Sequence, residues 1–187
     1  MDKVLEAPLR AAISFLEKHR YRYAVIGGIA LSQWGVIRAT RDVDVRVFVP
    51  DADYASFRAI ARAAFPERAR PHIPENPLIV DVNIQGVFVD FLLAVPGYEE
   101  LIAERSVRRD LGGWSAWVCS VEDLVIQKVA AGRAKDWMDV EALLIAQRGG
   151  LDEAYIGDWL AQFAEALDKP EILTEYQRLS AKIEALR

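Results

Sequence analysis

The chain has 187 residues, of which 52% are hydrophobic and 27% charged, with a formal net charge of −5. This balance is ordinary for a soluble globular protein, and no apolar run approaches the length that spans a bilayer, so a disordered chain and a membrane-spanning protein are excluded. The single cysteine, Cys119, cannot form an internal disulfide, and the first residues lack a basic and apolar leader, so we expect a cytoplasmic protein with no membrane partner.

The charge is unevenly spread along the chain. Residues 1–70 hold 12 Lys and Arg against 8 Asp and Glu, whereas residues 71–187 hold 11 against 20. A basic first half favours a polyanionic ligand near that half, and solvated arginines on helix faces are an equally simple interpretation. The acidic second half leaves open an interaction protein whose helical tail docks a neighbour.

Hydrophobic periodicity and turn residues predict helices that alternate with strands in the first half. In order they are a helix over 6–19, a strand over 23–26, a helix from the Gly27-Gly28 turn to about Trp34, a strand over 43–49 and a helix over 53–64. Pro8 is expected in the first turn of its helix, where a missing N–H is tolerated.

The second half begins irregular and becomes helical. The pattern predicts, in order, a loop marked by Pro66, Pro71, Pro74 and Pro77, a hairpin of strands over 78–84 and 87–93, a helix over 98–104, two short strands near 106–109 and 114–118, and helices from the N-cap pair Ser120 and Asp123 almost to the end. We therefore expect an α+β sheet domain over 1–148 and a helical C-terminal extension over 149–187, divided at Gly149-Gly150.

Two aspartates one residue apart carry the clearest chemical signal. On an extended strand, Asp42 and Asp44 point to one face, and the alternating valines from Val43 to Val49 point to the other. Two adjacent carboxylates repel unless a cation lies between them, and oxygen ligands suit Mg²⁺. The preceding pair Gly27-Gly28 opens a helix and offers backbone N–H groups to an anion. Together they predict a metal–triphosphate site.

Nearby arginines leave alternatives open. Arg38 and Arg41 stand just before the aspartates, where they could pair with phosphates or with Asp42 and Asp44 themselves. Arg46 lies on the aspartate face of the same strand, and we expect it to form a structural ion pair.

These motifs resemble the DNA polymerase β-type nucleotidyltransferase superfamily, most closely its AbiEii-like group, many of whose members are toxins of bacterial toxin–antitoxin pairs. Gly27-Gly28-Ile-Ala-Leu with Arg38-Ala-Thr-Arg-Asp42-Val-Asp44-Val resembles the first motif. Val89-Asp90-Phe91-Leu92 is similar to the strand that carries the third metal carboxylate. Glu122 to Lys128 and Arg133 to Asp139 resemble a later basic–acidic helical motif.

The resemblance implies a small mixed β-sheet flanked by helices and a reaction that depends on Mg²⁺ or Mn²⁺. A nucleoside monophosphate would pass from a nucleoside triphosphate such as ATP to a hydroxyl of RNA (typically tRNA), a protein or a small molecule, and an antitoxin is an implied partner. The site residues implied are metal ligands at Asp42, Asp44 and Asp90, with Lys128 added to these three as catalytic residues, and nucleotide contacts at Gly27, Gly28, Ser32, Arg38 and Arg41.

The chain departs from the superfamily pattern at one position. Ile29 stands where many members carry Ser or Thr next to the glycine, and Ser32 lies one helical turn further on. A catalytically inactive member that binds a nucleotide or a partner is therefore the alternative function. Lys128 could equally be a solvated lysine, and Asp136 could cap the helix that begins at Trp137.

The hairpin offers two candidates for the third carboxylate. Asp90 has apolar neighbours on both faces of its strand, where an ionised carboxylate is costly without a metal or a cation. Asp81 lies beside the proline loop and next to Asn83 on its face, where we expect a solvated side chain whose replacement by alanine is nearly silent. We therefore assign the third carboxylate to Asp90, as the base for the acceptor hydroxyl.

Overall fold

The computed structural model describes residues 3–185, which divide into two compact units. The first comprises the chain up to Ala30 together with Arg38–Cys119, and the second comprises Leu31–Ile37 and the chain from Ser120 onward. This division differs from the predicted boundary at Gly149-Gly150, because the helices before and after those glycines pack on one another. The functional division into 1–148 and 149–187 stays a prediction.

The first unit is built around one mixed β-sheet. Its elements are α1 (Lys3–Lys18), β1 (Arg22–Val25), the start of α2 (Gly27–Gln33), β2 (Asp42–Phe48), a 3-10 turn (Pro50–Ala52), α3 (Tyr54–Ala64), β3 (Ile79–Ile84), β4 (Val87–Leu93), α4 (Tyr98–Arg105), β5 (Val107–Asp110) and β6 (Ser115–Val118). Within residues 3–185 the sheet has six strands in the order β3-β4-β2-β1-β6-β5. β2 is parallel to β4 and β1 to β6, and the other pairs are antiparallel. The predicted α+β fold is confirmed.

The two faces of β2 differ as its alternation predicts. Val43, Val45 and Val47 are fully buried, whereas the residues between them are partly exposed. The valine face belongs to the core beneath α1 and α3, where Phe15 and Phe57 lie 5.9 and 5.8 Å from the ring of Phe91. Because the apolar side of the sheet is filled by these rings, the aspartates of β2 are left on the opposite face.

The first helix differs from its prediction. It spans Lys3–Lys18 rather than 6–19, so Pro8 lies beyond the first turn and inside the helix. Proline removes one backbone hydrogen bond there, but Leu5, Leu9 and Leu16 bury almost completely on the same helix. Burial of that apolar face offsets the free-energy cost of the lost hydrogen bond. Sequence periodicity alone does not show how large either contribution is.

The second unit is helical. It contains the later residues of α2 and four further helices, α5 (Val121–Ala131), α6 (Ala134–Ala146), α7 (Glu153–Ala166) and α8 (Glu171–Ala185). The predicted N-cap pair is confirmed, since Ser120 Oγ accepts from the backbone N–H of Asp123 at 3.0 Å and donates to its carboxylate at 2.7 Å. None of the helices within residues 3–185 is both long and apolar enough to cross a membrane.

The proline-rich loop between α3 and β3 is irregular but firmly held. Asp81 of β3 is 6% exposed, and its carboxylate accepts from the backbone N–H of Arg70 at 2.7 Å. Arg62 and Arg68 donate to the same carboxylate at 3.1 and 3.2 Å. Arg58 adds hydrogen bonds to the backbone carbonyls of Asn76, Pro77 and Ile79. The expectation that Asp81 is solvated is therefore wrong, because the loop folds back over its carboxylate.

The ionisation of Asp81 follows from these contacts. Burial raises the pKa of the carboxyl, but hydrogen bonds from the Arg70 backbone and from Arg62 and Arg68 outweigh burial, so the pKa lies below its usual value. A carboxyl with a lowered folded-state pKa stabilises the protein above its unfolded-state pKa of about 3.9. That contribution is lost as the pH falls through the folded-state pKa.

We expect Asp81→Asn to lower the free energy of unfolding by about 3 kcal/mol, because it leaves buried donors facing a neutral amide. Urea denaturation at pH 7 measures the loss, and the fall in stability below pH 4 should be shallower than in the wild type. Asp158→Asn, at an exposed position of α7, is the matched control and should leave stability nearly unchanged. Equal stabilities for the wild type and Asp81→Asn would contradict an anchoring role.

Candidate active site

Strand register brings four aspartates, Asp42, Asp44, Asp81 and Asp90, to one face of the sheet. In the parallel pair β2–β4, Asp44 lies opposite Asp90 and Asp42 lies opposite Phe88. In the antiparallel pair β3–β4, Asp81 lies opposite Asp90. Register partners share a face, so Asp42, Asp44 and Asp90 lie on the side away from the phenylalanine core. The backbone thus places the three predicted metal carboxylates together.

Asp42 is held by the segment that precedes β2. Thr40 Oγ1 donates to Asp42 Oδ1 at 3.0 Å. The same threonine packs against the glycine turn, since a Cβ built on Gly28 would lie 2.5 Å from Thr40 Oγ1 and 2.6 Å from Thr40 Cβ. Only glycine fits at position 28 without moving Thr40, and therefore the turn and the aspartate segment fit together as one surface.

Gly27 is required for two reasons. Its φ of +63° lies in the left-handed region that side chains disfavour, and a Cβ there would lie 2.1 Å from Asp44 Oδ2. The Asp44 carboxylate therefore lies directly against the backbone of the turn.

Asp90 has a partner that the sequence did not indicate. Arg70 Nη1 donates to Asp90 Oδ1 at 2.7 Å, and Nη2 donates to Oδ2 at 3.0 Å. Within residues 3–185 no three His, Cys, Asp or Glu side chains are grouped so as to hold a metal ion. Asp42 and Asp44 fit a hard cation by their oxygen chemistry and shared face, whereas both oxygens of Asp90 are engaged by a guanidinium.

Arg46, on the aspartate face of β2, has a structural role. Arg46 Nη1 lies 2.6 Å from Glu99 Oε1, which confirms the expected ion pair. Burial lowers the pKa of Arg46, and the charge of Glu99 opposes that shift. Arg46 thus ties the aspartate face of β2 to α4.

The other predicted nucleotide contacts have different surroundings. Arg38 and Arg41 are exposed on the segment between α2 and β2. Ile29 is 2% exposed, so its side chain belongs to the core. Ser32 lies on α2 one turn beyond Gly28 and falls in the second compact unit. Contacts from Ser32, Arg38 and Arg41 to a nucleotide stay predictions.

Lys128 forms a buried charge cluster in the second unit. Lys128 is 8% exposed, and its Nζ donates to Asp136 Oδ1 at 3.1 Å and to Asp139 Oδ2 at 2.7 Å. Arg133 also donates to Asp136. The solvated interpretation of Lys128 is therefore wrong, and so is the capping role of Asp136, because α6 begins at Ala134 and Asp136 lies in its first turn.

Ionisation of Asp136 is favourable despite its burial. Burial raises the pKa of Asp136, but hydrogen bonds and charge from Arg133 and Lys128 bring it below its usual value. The basic–acidic motif that the sequence offered as catalytic thus joins α5 to α6 by ion pairs. A catalytic role for Lys128 stays a prediction.

A family model described as "Nucleotidyltransferase of unknown function (DUF6036)" matches residues 9–154. The chain belongs to this nucleotidyltransferase family, which confirms the enzyme class and the superfamily that the motifs predicted, though not the AbiEii-like group. A search of curated proteins finds no match.

Solved structures show the same fold at low sequence identity. A solution structure of the antibiotic-resistance factor ANT(2'')-Ia matches with a TM-score of 0.63 and 16% identity over 91% of this chain and 97% of that one. A crystal structure of ANT(2'')-Ia in complex with adenylyl-2''-tobramycin matches with a TM-score of 0.60 and 13% sequence identity. That match covers 88% of this chain and 99% of the other. An antigenic nucleotidyltransferase-like protein from Paracoccidioides brasiliensis matches with a TM-score of 0.50 and 16% sequence identity, over 89% of each chain.

We expect Lys128→Met to lower the free energy of unfolding by about 3–5 kcal/mol, because it leaves Asp136 and Asp139 buried without their shared cation. Chemical denaturation measures the loss, and adding Asp139→Asn to the variant should recover part of it. Lys135→Met, at an exposed position of α6, is the control. Full stability of Lys128→Met would show that the ion pairs do not support the fold.

Proposed function

We propose that this nucleotidyltransferase moves a nucleoside monophosphate from a nucleoside triphosphate to a hydroxyl acceptor at the aspartate face of the sheet. The observation that carries the proposal is the position of Asp44, which lies against the Gly27 backbone and, by strand register, beside Asp90. A glycine turn, a carboxylate pair and a third carboxylate on the neighbouring strand are the parts that in-line phosphoryl transfer requires.

Each residue has a role in this reaction. Asp42, Asp44 and Asp90 would hold Mg²⁺ or Mn²⁺, which would supply positive charge to the attacking and leaving oxygens. Gly27 and Gly28 leave the backbone open to the phosphates, and Arg38 and Arg41 add positive charge on the adjacent segment. Asp90 orients the acceptor hydroxyl and takes its proton. The acceptor oxygen then bonds to the α-phosphorus as the bond to pyrophosphate breaks.

The proposal names classes of acceptor rather than one acceptor molecule. RNA, with tRNA as the first candidate, a protein and a small molecule remain the three acceptor classes, and ATP is the first nucleotide to test. The ANT(2'')-Ia crystal structure contains adenylyl-2''-tobramycin, so tobramycin is a suitable small-molecule probe. We further propose that the protein belongs to the AbiEii-like group and acts in the cytoplasm as a toxin with an antitoxin partner. We also propose that Lys128 takes part in catalysis.

The alternative is an inactive member of the fold that binds a nucleotide or a partner. Two observations favour it: Ile29 is buried where many members carry a hydroxyl, and Asp90 is paired with Arg70. The three carboxylates Asp42, Asp44 and Asp90 favour the active enzyme, because an inactive protein has no need to keep the mutually repelling pair Asp42 and Asp44.

A labelling experiment separates these functions. The protein is incubated with each α-labelled triphosphate, Mg²⁺ and, in turn, total RNA, cell protein or tobramycin, and transfer is read as label on the acceptor with pyrophosphate release. We expect Asp42→Asn and Asp44→Asn each to lower the rate by about 100-fold or more, since each removes a carboxylate from the site of charge development.

Matched measurements make the result specific. Asp42→Asn and Asp44→Asn should unfold at a denaturant concentration equal to or above that of the wild type, because each relieves repulsion between carboxylates. Asp158→Asn should transfer label at the wild-type rate. Turnover retained in the double variant Asp42→Asn/Asp44→Asn would exclude this site, and nucleotide binding without transfer to any acceptor would favour the inactive alternative.

A further inference from the structure

Arg70 is placed against the third carboxylate by a dedicated set of contacts. Its two terminal nitrogens face the two oxygens of Asp90 in a bidentate pair, the strongest common arrangement of a guanidinium and a carboxylate. The Arg70 side chain is 30% exposed and that of Asp90 is 13% exposed. The pair therefore lies at the edge of solvent, where the Arg70 guanidinium can leave Asp90 without unfolding β4.

The backbone of Arg70 is fixed separately from its guanidinium. Asp81 accepts the Arg70 backbone N–H, and Asp81 is itself held by Arg62 and Arg68. Because the anchor acts on the main chain, the guanidinium can pivot while the loop stays in place. Its side chain also passes beside Phe88, whose ring centroid lies 5.4 Å from the guanidinium carbon. Phe88 is 40% exposed and is the register partner of Asp42.

The negative charges around Arg70 come from the three neighbouring strands β2, β3 and β4. The hydrogen bonds to Asp90 raise the pKa of Arg70, and the charges of Asp90, Asp81 and Asp42 add to that effect against burial. One guanidinium thus compensates carboxylates that would otherwise repel one another. A divalent cation that uses Asp90 as a ligand competes with this guanidinium, because the guanidinium already donates to both Asp90 oxygens and the two cations repel at close range.

We propose that Arg70 couples metal binding to nucleotide binding: it occupies Asp90 in the free enzyme and moves to the triphosphate when the metal–nucleotide complex arrives. A triphosphate offers more negative charge than one carboxylate and suits the planar fork of arginine. Arg70 therefore acts through Asp90 in the free enzyme and contacts the triphosphate directly in the complex. This inference rests on the proposed function, from which it takes the metal and the nucleotide.

Binding of Mn²⁺ alone, followed by electron paramagnetic resonance of the free ion, tests the first half of the inference. We expect Arg70→Gln to bind Mn²⁺ about tenfold more tightly than the wild type in the absence of nucleotide, because a charge-assisted competitor is removed. Arg70→Lys, which keeps the charge but not the fork, should fall between them. The gain should vanish in Arg70→Gln/Asp90→Asn. Arg178→Gln, which removes an exposed arginine of α8, is the control and should match the wild type.

The second half predicts opposite behaviour toward nucleotide. With Mn²⁺ saturating, Arg70→Gln should bind a non-hydrolysable ATP analogue more weakly than the wild type does, while Arg178→Gln should not. Equal Mn²⁺ affinities for the wild type and Arg70→Gln would overturn the inference, even if the wild type transfers label and the proposed function stands. A gain in Mn²⁺ affinity with no transfer to any acceptor would instead support the metal role of Arg70 and count against the proposed function.

Discussion

The parallel pairing of β2 with β4 is the constraint on which the candidate site depends. It sets Asp44 directly opposite Asp90, although the two residues are far apart in the sequence. A shift of one residue in this register would turn Asp90 toward the phenylalanine core, where it would have no partner. The register is fixed from the apolar side, because Val45 and Phe91 are fully buried register partners in that core. Core packing on one face therefore determines the chemistry on the other.

Both compact units stabilise buried carboxylates with cations from a neighbouring segment. In the first unit α3 and the proline loop supply arginines to Asp81, and the loop supplies Arg70 to Asp90. In the second unit Lys128 of α5 serves two aspartates of α6. An ion pair of this kind contributes little net stability over an apolar pair, but removing one partner is costly. These clusters thus fix one arrangement of loops and helices rather than adding greatly to stability, and Arg70 shows how such a cluster can extend into a reactive site.

Local patterns in the sequence predicted much of the fold and the central part of the site. Alternation in β2 identified the shared face of Asp42 and Asp44, and the glycine turn was recognised from its position between a strand and a helix. These features depend on neighbours along the chain, which a sequence displays directly. The ion pair of Arg46 was also expected, because a cation on a carboxylate face needs a partner.

Features that depend on distant segments could not be predicted in the same way. Arg70 lies in an irregular loop, and nothing in its local sequence indicates that it meets Asp90. Asp81 was judged solvated because it adjoins that loop, whereas the loop folds back and buries its carboxylate. The sequence motif does not show that Lys128 pairs with Asp136, because the approach of α5 to α6 is a tertiary contact. In each case the sequence does not show which charged side chain of another segment pairs with the residue in question.

The position of a bound cation tests the central claim most directly. Crystals grown with Mn²⁺ and an ATP analogue that cannot be cleaved at the α-phosphorus would locate the ion by its anomalous scattering. The account predicts an anomalous peak within about 2.3 Å of carboxylate oxygens of both Asp42 and Asp44, with the triphosphate against Gly27 and Gly28. A nucleotide bound elsewhere, with no peak at these two carboxylates, would contradict the account.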